Sequence, residues 1–230
     1  LNPVLSVGYQ LGEMFRAHRG VSRKEAKEKA VELMDRVRIP AARQRVGDFP
    51  HQFSGGMRQR IMIAMALALE PDLIIADEPT TALDVTVQAQ VMDLLADLQA
   101  EYNMGLILIT HDLGVVADVA DKIAVMYAGR IVETAPVREL YARPAHPYTR
   151  GLLDSIPRLD QKGQNLHAIK GLPPSLLSLP EGCAFNPRCD RAQDRCRTEL
   201  PALTPVTSEY GTELAGRRSA CHYWRETLHG

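Results

Sequence analysis

Apolar residues recur along the chain with two periods. Between residues 11 and 38, Ala26, Ala30, Leu33, Met34 and Val37 fall at helical spacing, and the charged run Arg23 to Lys29 forms the solvated face of that helix. Ser22, followed by Glu25 three residues later, reads as a capping box, and Pro40 ends the element. Met57 to Leu69 is a second helical run, almost wholly apolar after its arginines and so expected to be buried. Pro71 stops it, and Leu73-Ile74-Ile75-Ala76 follows, apolar without alternation, as in a buried strand of a parallel sheet.

The alternation of types continues. Residues 85–100 read as an amphipathic helix with Val87, Val91, Leu94, Leu95 and Leu98 on one face. Gly105 breaks it, and Leu106 to Ile109 is a second buried strand. A helix through Val115–Ala120 follows. Ile123 to Tyr127 is a third strand, and Gly129-Arg130 turns it into Ile131-Val132-Glu133 as a hairpin. Strand, helix, strand, helix, strand predicts an α/β fold with a parallel sheet. After about residue 150 prolines accumulate, apolar runs thin out and all four cysteines appear, so 151–230 is expected to be a loop-rich extension that needs a staple.

Composition narrows the function. Two hundred and thirty residues suffice for a sizeable core, and 45% hydrophobic with 24% charged residues is ordinary for a globular protein. The net charge of -1 lacks the basic excess usual for nucleic-acid binding. No apolar window is long enough for a transmembrane helix, and Leu1-Asn2-Pro3-Val4 has no signal-peptide character, so a cytosolic chain is expected. In that setting Cys183, Cys189, Cys196 and Cys221 suggest a metal site rather than disulfides.

The candidate chemistry sits at element ends. Asp77 and Glu78 follow Leu73 to Ala76, which places two carboxylates at the C-terminal edge of a strand, where open α/β sheets bind ligands. The first acid can hold Mg²⁺ directly or through water, and the second can orient or deprotonate an attacking water. Taken alone, the pattern is also that of a strand ending in a solvated turn. Ser54-Gly55-Gly56 opens the apolar helix, so bare N–H groups and the positive helix end make an anion site; alone, this is equally a flexible cap. His111, in Thr110-His111-Asp112, ends the next strand and reaches the same edge as Asp77 and Glu78.

Together these patterns resemble the ATP-binding subunits of ABC transporters. Ser54-Gly55-Gly56-Met57-Arg58-Gln59 matches the family's signature motif, Leu73 to Glu78 its Walker B strand, Thr81-Ala82-Leu83-Asp84 its D-loop and His111 its switch histidine. The resemblance covers residues 1 to about 150 and implies the C-terminal part of a P-loop NTPase, the second half of a nucleotide-binding domain. Within it, a helical subdomain would span about 5–70 and the Walker B to switch region 71–135. It implies Glu78 and His111 as catalytic residues. Ser54, Gly55, Gly56, Gln59, Asp77 and Asp84 would serve ATP and Mg²⁺, with Ser54, Gly55 and Gly56 acting on a nucleotide held by the opposite subunit. The family's G-x-x-x-x-G-K-[ST] phosphate loop is absent. With no initiating methionine, the sequence reads as the later part of a longer chain, inactive as an ATPase by itself and active at full length. A degenerate subunit that never had the loop is the alternative.

Further on, Arg143-Pro144-Ala145-His146-Pro147-Tyr148-Thr149-Arg150 and Gly182-Cys183-Ala184-Phe185-Asn186-Pro187-Arg188-Cys189 resemble the C-terminal extension of dipeptide and oligopeptide importers, nearest the dipeptide branch. Nickel and glutathione importers share much of the pattern. The resemblance implies a second homologous ATPase subunit, two membrane permeases, an extracytoplasmic peptide-binding protein as indirect partner, no nucleic acid, and a peripheral place on the cytoplasmic face of the inner membrane. Two readings from other classes stand beside it: a soluble ATPase acting on DNA or ribosomes, and a non-catalytic metal-binding module.

The cysteine spacing C-x5-C-x6-C-x24-C lacks the short C-x₂₋₄-C pairs of structural zinc sites. Four thiolates on a proline-rich loop suit a [4Fe–4S] cubane, which the importer tail also implies, with zinc as the alternative. Arg188, Arg191 and Arg195 are expected to offset the cluster's charge, and His222, next to Cys221, could substitute as a ligand but reads first as a solvated histidine.

Overall fold

The computed structural model describes residues 1–81, 83–156 and 168–229. It divides into two compact units, Leu1–Asp112 and Leu113–Gly230.

The first unit opens with three helices: α1 (Val7–Arg19), α2 (Arg23–Arg36) and the short α3 (Ala42–Arg45). A 3₁₀ turn at Pro50–Gln52 leads to α4 (Gly55–Leu67), then β1 (Leu73–Asp77), α5 (Val85–Tyr102) and β2 (Gly105–Ile109). Four of these helices start by one device. The side chains of Ser6, Ser22, Ser54 and Asp84 accept from the backbone N–H three residues on, that of Tyr9, Glu25, Met57 and Val87 respectively. Each bond satisfies a donor the first helical turn would otherwise leave bare. β1 and β2 pair in parallel, Asp77 opposite Ile109, with α5 as the crossover.

Burial departs from expectation here. Ile74 is buried, but Leu73, Ile75, Ile107 and Ile109 are exposed on the two-stranded sheet. α4 likewise buries Ile61, Ile63, Ala64 and Leu67 while leaving Met62 exposed. An apolar run encodes burial on every side, and the described residues of this chain leave part of those surfaces uncovered.

The second unit contains α6 (Leu113–Val119), β3 (Lys122–Tyr127), β4 (Arg130–Pro136), α7 (Val137–Ala142) and α8 (Pro147–Asp154). Beyond these lie a 3₁₀ turn at Asn186–Arg188, α9 (Asp194–Thr198), β5 (Thr204–Thr207), β6 (Glu213–Ser219) and α10 (Trp224–His229). β3 and β4 form the expected hairpin. Ala128 and Gly129 both take positive φ, 47° and 77°, the geometry that matches a two-residue turn to strand twist.

β3 is not a third strand of the parallel sheet. It belongs to a separate antiparallel sheet of order β3-β4-β6-β5. Packing therefore divides the chain near residue 112, whereas composition changes near residue 150. β6 pairs with β4, and Phe185 joins Ile123, Val125, Tyr127, Val132, Leu140 and Leu153 in one core. The rings of Tyr127, Tyr148 and Phe185 meet within this core at centroid distances of 4.6–5.4 Å.

Candidate functional site

The parallel register brings the expected catalytic pair together. Glu78 follows β1 and His111 follows β2, and the Glu78 N–H donates to the Ile109 carbonyl at 2.9 Å. Nδ1 of His111 lies 2.9 Å from Oε1 and 3.0 Å from Oε2 of Glu78. Thr81 Oγ1 donates to Oε2 at 2.8 Å. These bonds, His111 first, hold the Glu78 carboxyl below its usual range. Reciprocally, the Glu78 carboxylate raises His111. Glu78 stands at φ 49°, a left-handed backbone that costs an L residue energy and here turns the carboxylate toward His111.

The neighbouring residues fall as follows. Asp77 is the last residue of β1 and is exposed. Asp84 spends Oδ1 on capping α5, at 2.9 Å from the Val87 N–H. Of the D-loop match, Ala82 lies outside the described residues. Gln88 Nε2 donates to Asp112 Oδ2 at 3.0 Å, fastening the residue after His111 to α5. The sequence reading did not single out Thr81 or Gln88 as individual contributors. Their signal was position only, one in the turn after the acids and one in the first turns of the next helix.

Ser54 is exposed at the start of α4, and its Oγ accepts from Met57 N–H at 3.3 Å, which leaves the hydroxyl proton free to donate. Gly56 has no room for a side chain, since a Cβ there would lie 2.5 Å from Val87 Cγ1. Gly55 is open enough that its nearest neighbour would be Leu83 Cδ2 at 3.6 Å. Gln59 is half-buried on the same helix.

In the second unit Cys183, Cys189, Cys196 and Cys221 all line one cavity, with His146, Phe185, Asn186, Arg191 and His222 on its wall. None forms a disulfide. Burial pushes the thiols of Cys189 and Cys221 up to about 11 and about 12. Among the described residues, no group of three or more His, Cys, Asp or Glu side chains is placed to hold a metal ion. The four cysteines thus share one lining.

Two expected neighbours are committed elsewhere. Arg188 donates to the Lys170 and Ile169 carbonyls and to Tyr127 Oη, and Arg195 pairs with Glu199. Of the three arginines only Arg191 lines the cavity. His222 Nε2 faces the Glu199 carbonyl at 3.0 Å, which makes that nitrogen a donor.

Beside the cavity stands a buried polar cluster the sequence did not announce. Glu133 Oε1 accepts from Ala145 N–H at 2.7 Å and Oε2 from His146 N–H at 2.9 Å. Burial pushes its carboxyl up, opposed by those N–H groups and the charge of Arg217. Arg217, itself buried, donates to Glu139 at 3.2 Å and to the Arg143 carbonyl.

Comparison with known proteins agrees with these two halves. A family model for the ABC transporter domain matches residues 2–81, and one for the oligopeptide/dipeptide transporter C-terminal region matches residues 132–196. Among solved structures, the ATP-binding cassette MJ0796, in a dimeric post-hydrolysis state with ADP and Pi, is 30% identical at a TM-score of 0.53, covering 60% of this chain and 59% of that one. A peptide import ATP-binding protein of Brucella melitensis is 54% identical over 98% of this chain and 67% of its own length. The oligopeptide transport ATP-binding protein OppD of Escherichia coli is 54% identical over 96% of this chain and 63% of its own. The chain therefore belongs to the ATP-binding subunits of ABC-type peptide importers, and it spans about two thirds of the length of these relatives. Among the described residues no helix is long and apolar enough to cross a membrane.

Proposed function

We propose that this chain is part of a subunit that couples ATP hydrolysis to the import of dipeptides or oligopeptides through membrane permeases. The observation that carries the reading is the Glu78–His111 pair at the C-terminal edge of β1 and β2. Glu78 is the catalytic carboxylate, and its lowered pKa keeps it ionised, as a base must be. His111 is the group that meets the transferred phosphate. Both oxygens of Glu78 are engaged by His111 and Thr81 while the pair stays open to solvent, so the base gives up one of these bonds when it takes up a water. Asp77 offers a hard, exposed oxygen of the kind Mg²⁺ takes, and when bound the ion neutralises phosphate charge. Ser54 and the first N–H groups of α4 supply an anion site for a nucleotide held by a second, homologous ATPase subunit. Gln59 and Asp84 lie beside it on α4 and at the α5 cap.

Residues 1–150 are assigned to the nucleotide-binding domain, with the helical part at about 5–70 and the Walker B to switch region at 71–135. Residues 151–230 are the importer extension. The partners are the second ATPase subunit, two permeases and, indirectly, an extracytoplasmic peptide-binding protein, and the place of action is the cytoplasmic face of the inner membrane.

The cysteine pocket suits a [4Fe–4S] cluster held by Cys183, Cys189, Cys196 and Cys221. A cubane binds each thiolate through a different iron, so its ligands stand further apart than those of a single zinc. Four cysteines lining one cavity are the observation that supports this reading. When bound, the cluster would replace the protons of buried thiols and staple the loops together.

The central test is Glu78→Gln in the complete subunit. It should bind ATP and hydrolyse it at least ~10²-fold more slowly. Near-normal turnover would overturn the assignment. For the pocket, anaerobically purified protein should be brown, with absorption near ~400 nm that vanishes in Cys189→Ser. A colourless preparation with one zinc per chain would reject the cluster.

A further inference from the structure

One arginine grips the chain on both sides of Ser54. Arg45 closes α3, and its side chain is largely shielded from solvent, 24% exposed. Nε donates to Asp48 Oδ2 at 3.0 Å, and Nη2 donates to the Gln52 carbonyl at 2.9 Å. The guanidinium lies over the Phe53 ring, 4.1 Å from its centroid, and Nη1 meets Met57 Sδ at 3.5 Å. Phe53 is buried and immediately precedes Ser54, and Met57 is the residue whose N–H the Ser54 hydroxyl caps. The ground under Arg45 is itself fixed. The Val46 and Asp48 carbonyls accept from the Gly8 and Val7 N–H groups at 2.8 and 2.9 Å, and Gly8 leaves no room for a Cβ against Val46.

From this geometry we propose that Arg45 is the positioning residue of the loop that presents Ser54. The inference rests on the reading above that Ser54 and the first N–H groups of α4 meet a nucleotide held by the second ATPase subunit. Local backbone bonds, Gln52 N–H to the Phe49 carbonyl and Phe53 N–H to the Pro50 carbonyl, shape the turn before Ser54. Arg45 ties the far end of that turn to α3, and through Val46 and Asp48 to the start of α1. The Arg45–Asp48 ion pair, three residues apart, would by itself contribute little. The contacts to Gln52, Phe53 and Met57 are the ones that place Ser54. They need a planar guanidinium, which offers donors in a fork while lying flat on a ring; an ammonium is a point charge and cannot do both.

Arg45→Lys separates this role from that of a surface ion pair, because lysine keeps the charge beside Asp48 and loses the fork. The complete subunit would be used, alone and assembled with the second ATPase subunit and the permeases. Three quantities would be measured: binding of a non-hydrolysable ATP analogue to the subunit alone, ATP hydrolysis by the assembly, and amide hydrogen exchange. Positioning predicts that Arg45→Lys binds the analogue as tightly as wild type. Exchange at Phe53–Met57 should quicken, and hydrolysis by the assembly should fall, each by at least about 10-fold, the scale of losing a hydrogen bond to a charged group. Exchange in α2 and α5 should stay as in wild type. Wild-type exchange and hydrolysis in Arg45→Lys would overturn the proposal and leave an ion pair. Exchange quickened equally in the loop, α2 and α5 would also overturn it, since Arg45 would then support the fold at large. Ser54→Ala serves as the control for the underlying reading. If it hydrolyses ATP normally while Arg45→Lys still quickens exchange in the loop alone, Arg45 keeps its positioning role and the part assigned to Ser54 falls.

Discussion

The imidazole of His111 straddles the carboxylate of Glu78, with Nδ1 2.9 Å from one oxygen and 3.0 Å from the other. The two residues are 33 positions apart in sequence and meet because the strands before them are parallel and in register. Each perturbs the other: the histidine lowers the acid, and the acid raises the histidine.

That coupling has a sign in pH. The raised His111 contributes to the folded state fully below its unfolded value of 6.5, and the contribution fades as pH rises through the folded value. The lowered Glu78 contributes above 4.5 and fades as pH falls through its folded value. The pair is therefore complete between those limits. NMR titration of His111 should give a pKa above 6.5 in the wild type, returning toward 6.5 in Glu78→Gln. An unchanged titration between the two would mean that the pair does not form in solution.

The two signature glycines should respond differently to alanine. At Gly56 the added methyl lies 2.5 Å from Val87 Cγ1, so α4 and α5 must part or Val87 must move, at about 1–3 kcal/mol. Gly55 meets only ordinary contact at 3.6 Å and should gain slightly from alanine's helix propensity. Chemical denaturation should rank Gly55→Ala near or above wild type and Gly56→Ala below it. Adding Val87→Ala to Gly56→Ala should recover much of the loss. Independent, additive effects would show that the contact is not the cause.

Much of the first unit was legible in sequence because its candidate site residues stand at element ends. Ser54, Asp77, Glu78 and His111 each follow or precede a run whose period is unambiguous. The second sheet was not legible. The inward positions of β6 are Arg217 and Ser219, polar residues whose burial is compensated by Glu139, the Arg143 carbonyl and the Ala145 carbonyl. β5 offers only Val206 to the core. Hydropathy alternation cannot reveal strands whose buried face is polar. The same blindness hid Glu133 and His146, whose burial depends on backbone partners rather than on apolarity.

Backbone geometry in the cysteine region gives a sharper contrast. Gly182 has φ 69°, and a Cβ there would run into the Cys196 carbonyl and lie 2.9 Å from Thr198 N. The same approach carries the Cys183 N–H to Cys196 carbonyl bond at 2.8 Å. Gly211 has φ 81° with nothing within 4 Å. Gly211→Ala should thus cost only the left-handed penalty, about 1–2 kcal/mol. Gly182→Ala should cost clearly more and should speed alkylation of Cys183 and Cys196. Equal losses of stability in the two variants would refute the close approach.

Glu133 provides the last test, because its isostere should fail. Both carboxylate oxygens accept backbone N–H bonds, from Ala145 and His146, and the residue is 1% exposed. In Glu133→Gln one oxygen becomes an NH₂ that must face an N–H. A buried donor is left unpaired, at about 1–3 kcal/mol. The pH dependence discriminates further. Burial raises Glu133 above 4.5 in the folded state, so the folded protein binds this proton more readily than the unfolded chain. This group then favours folding increasingly as pH falls toward and below its folded value, and opposes it as pH rises. Glutamine has no such dependence, so the stability gap between wild type and Glu133→Gln should widen on acidification from neutrality. Urea denaturation at a series of pH values would measure the gap. A variant as stable as wild type, or a gap that narrows toward acid, would show that the carboxylate does not hold the chain at Ala145 and His146 as these distances indicate.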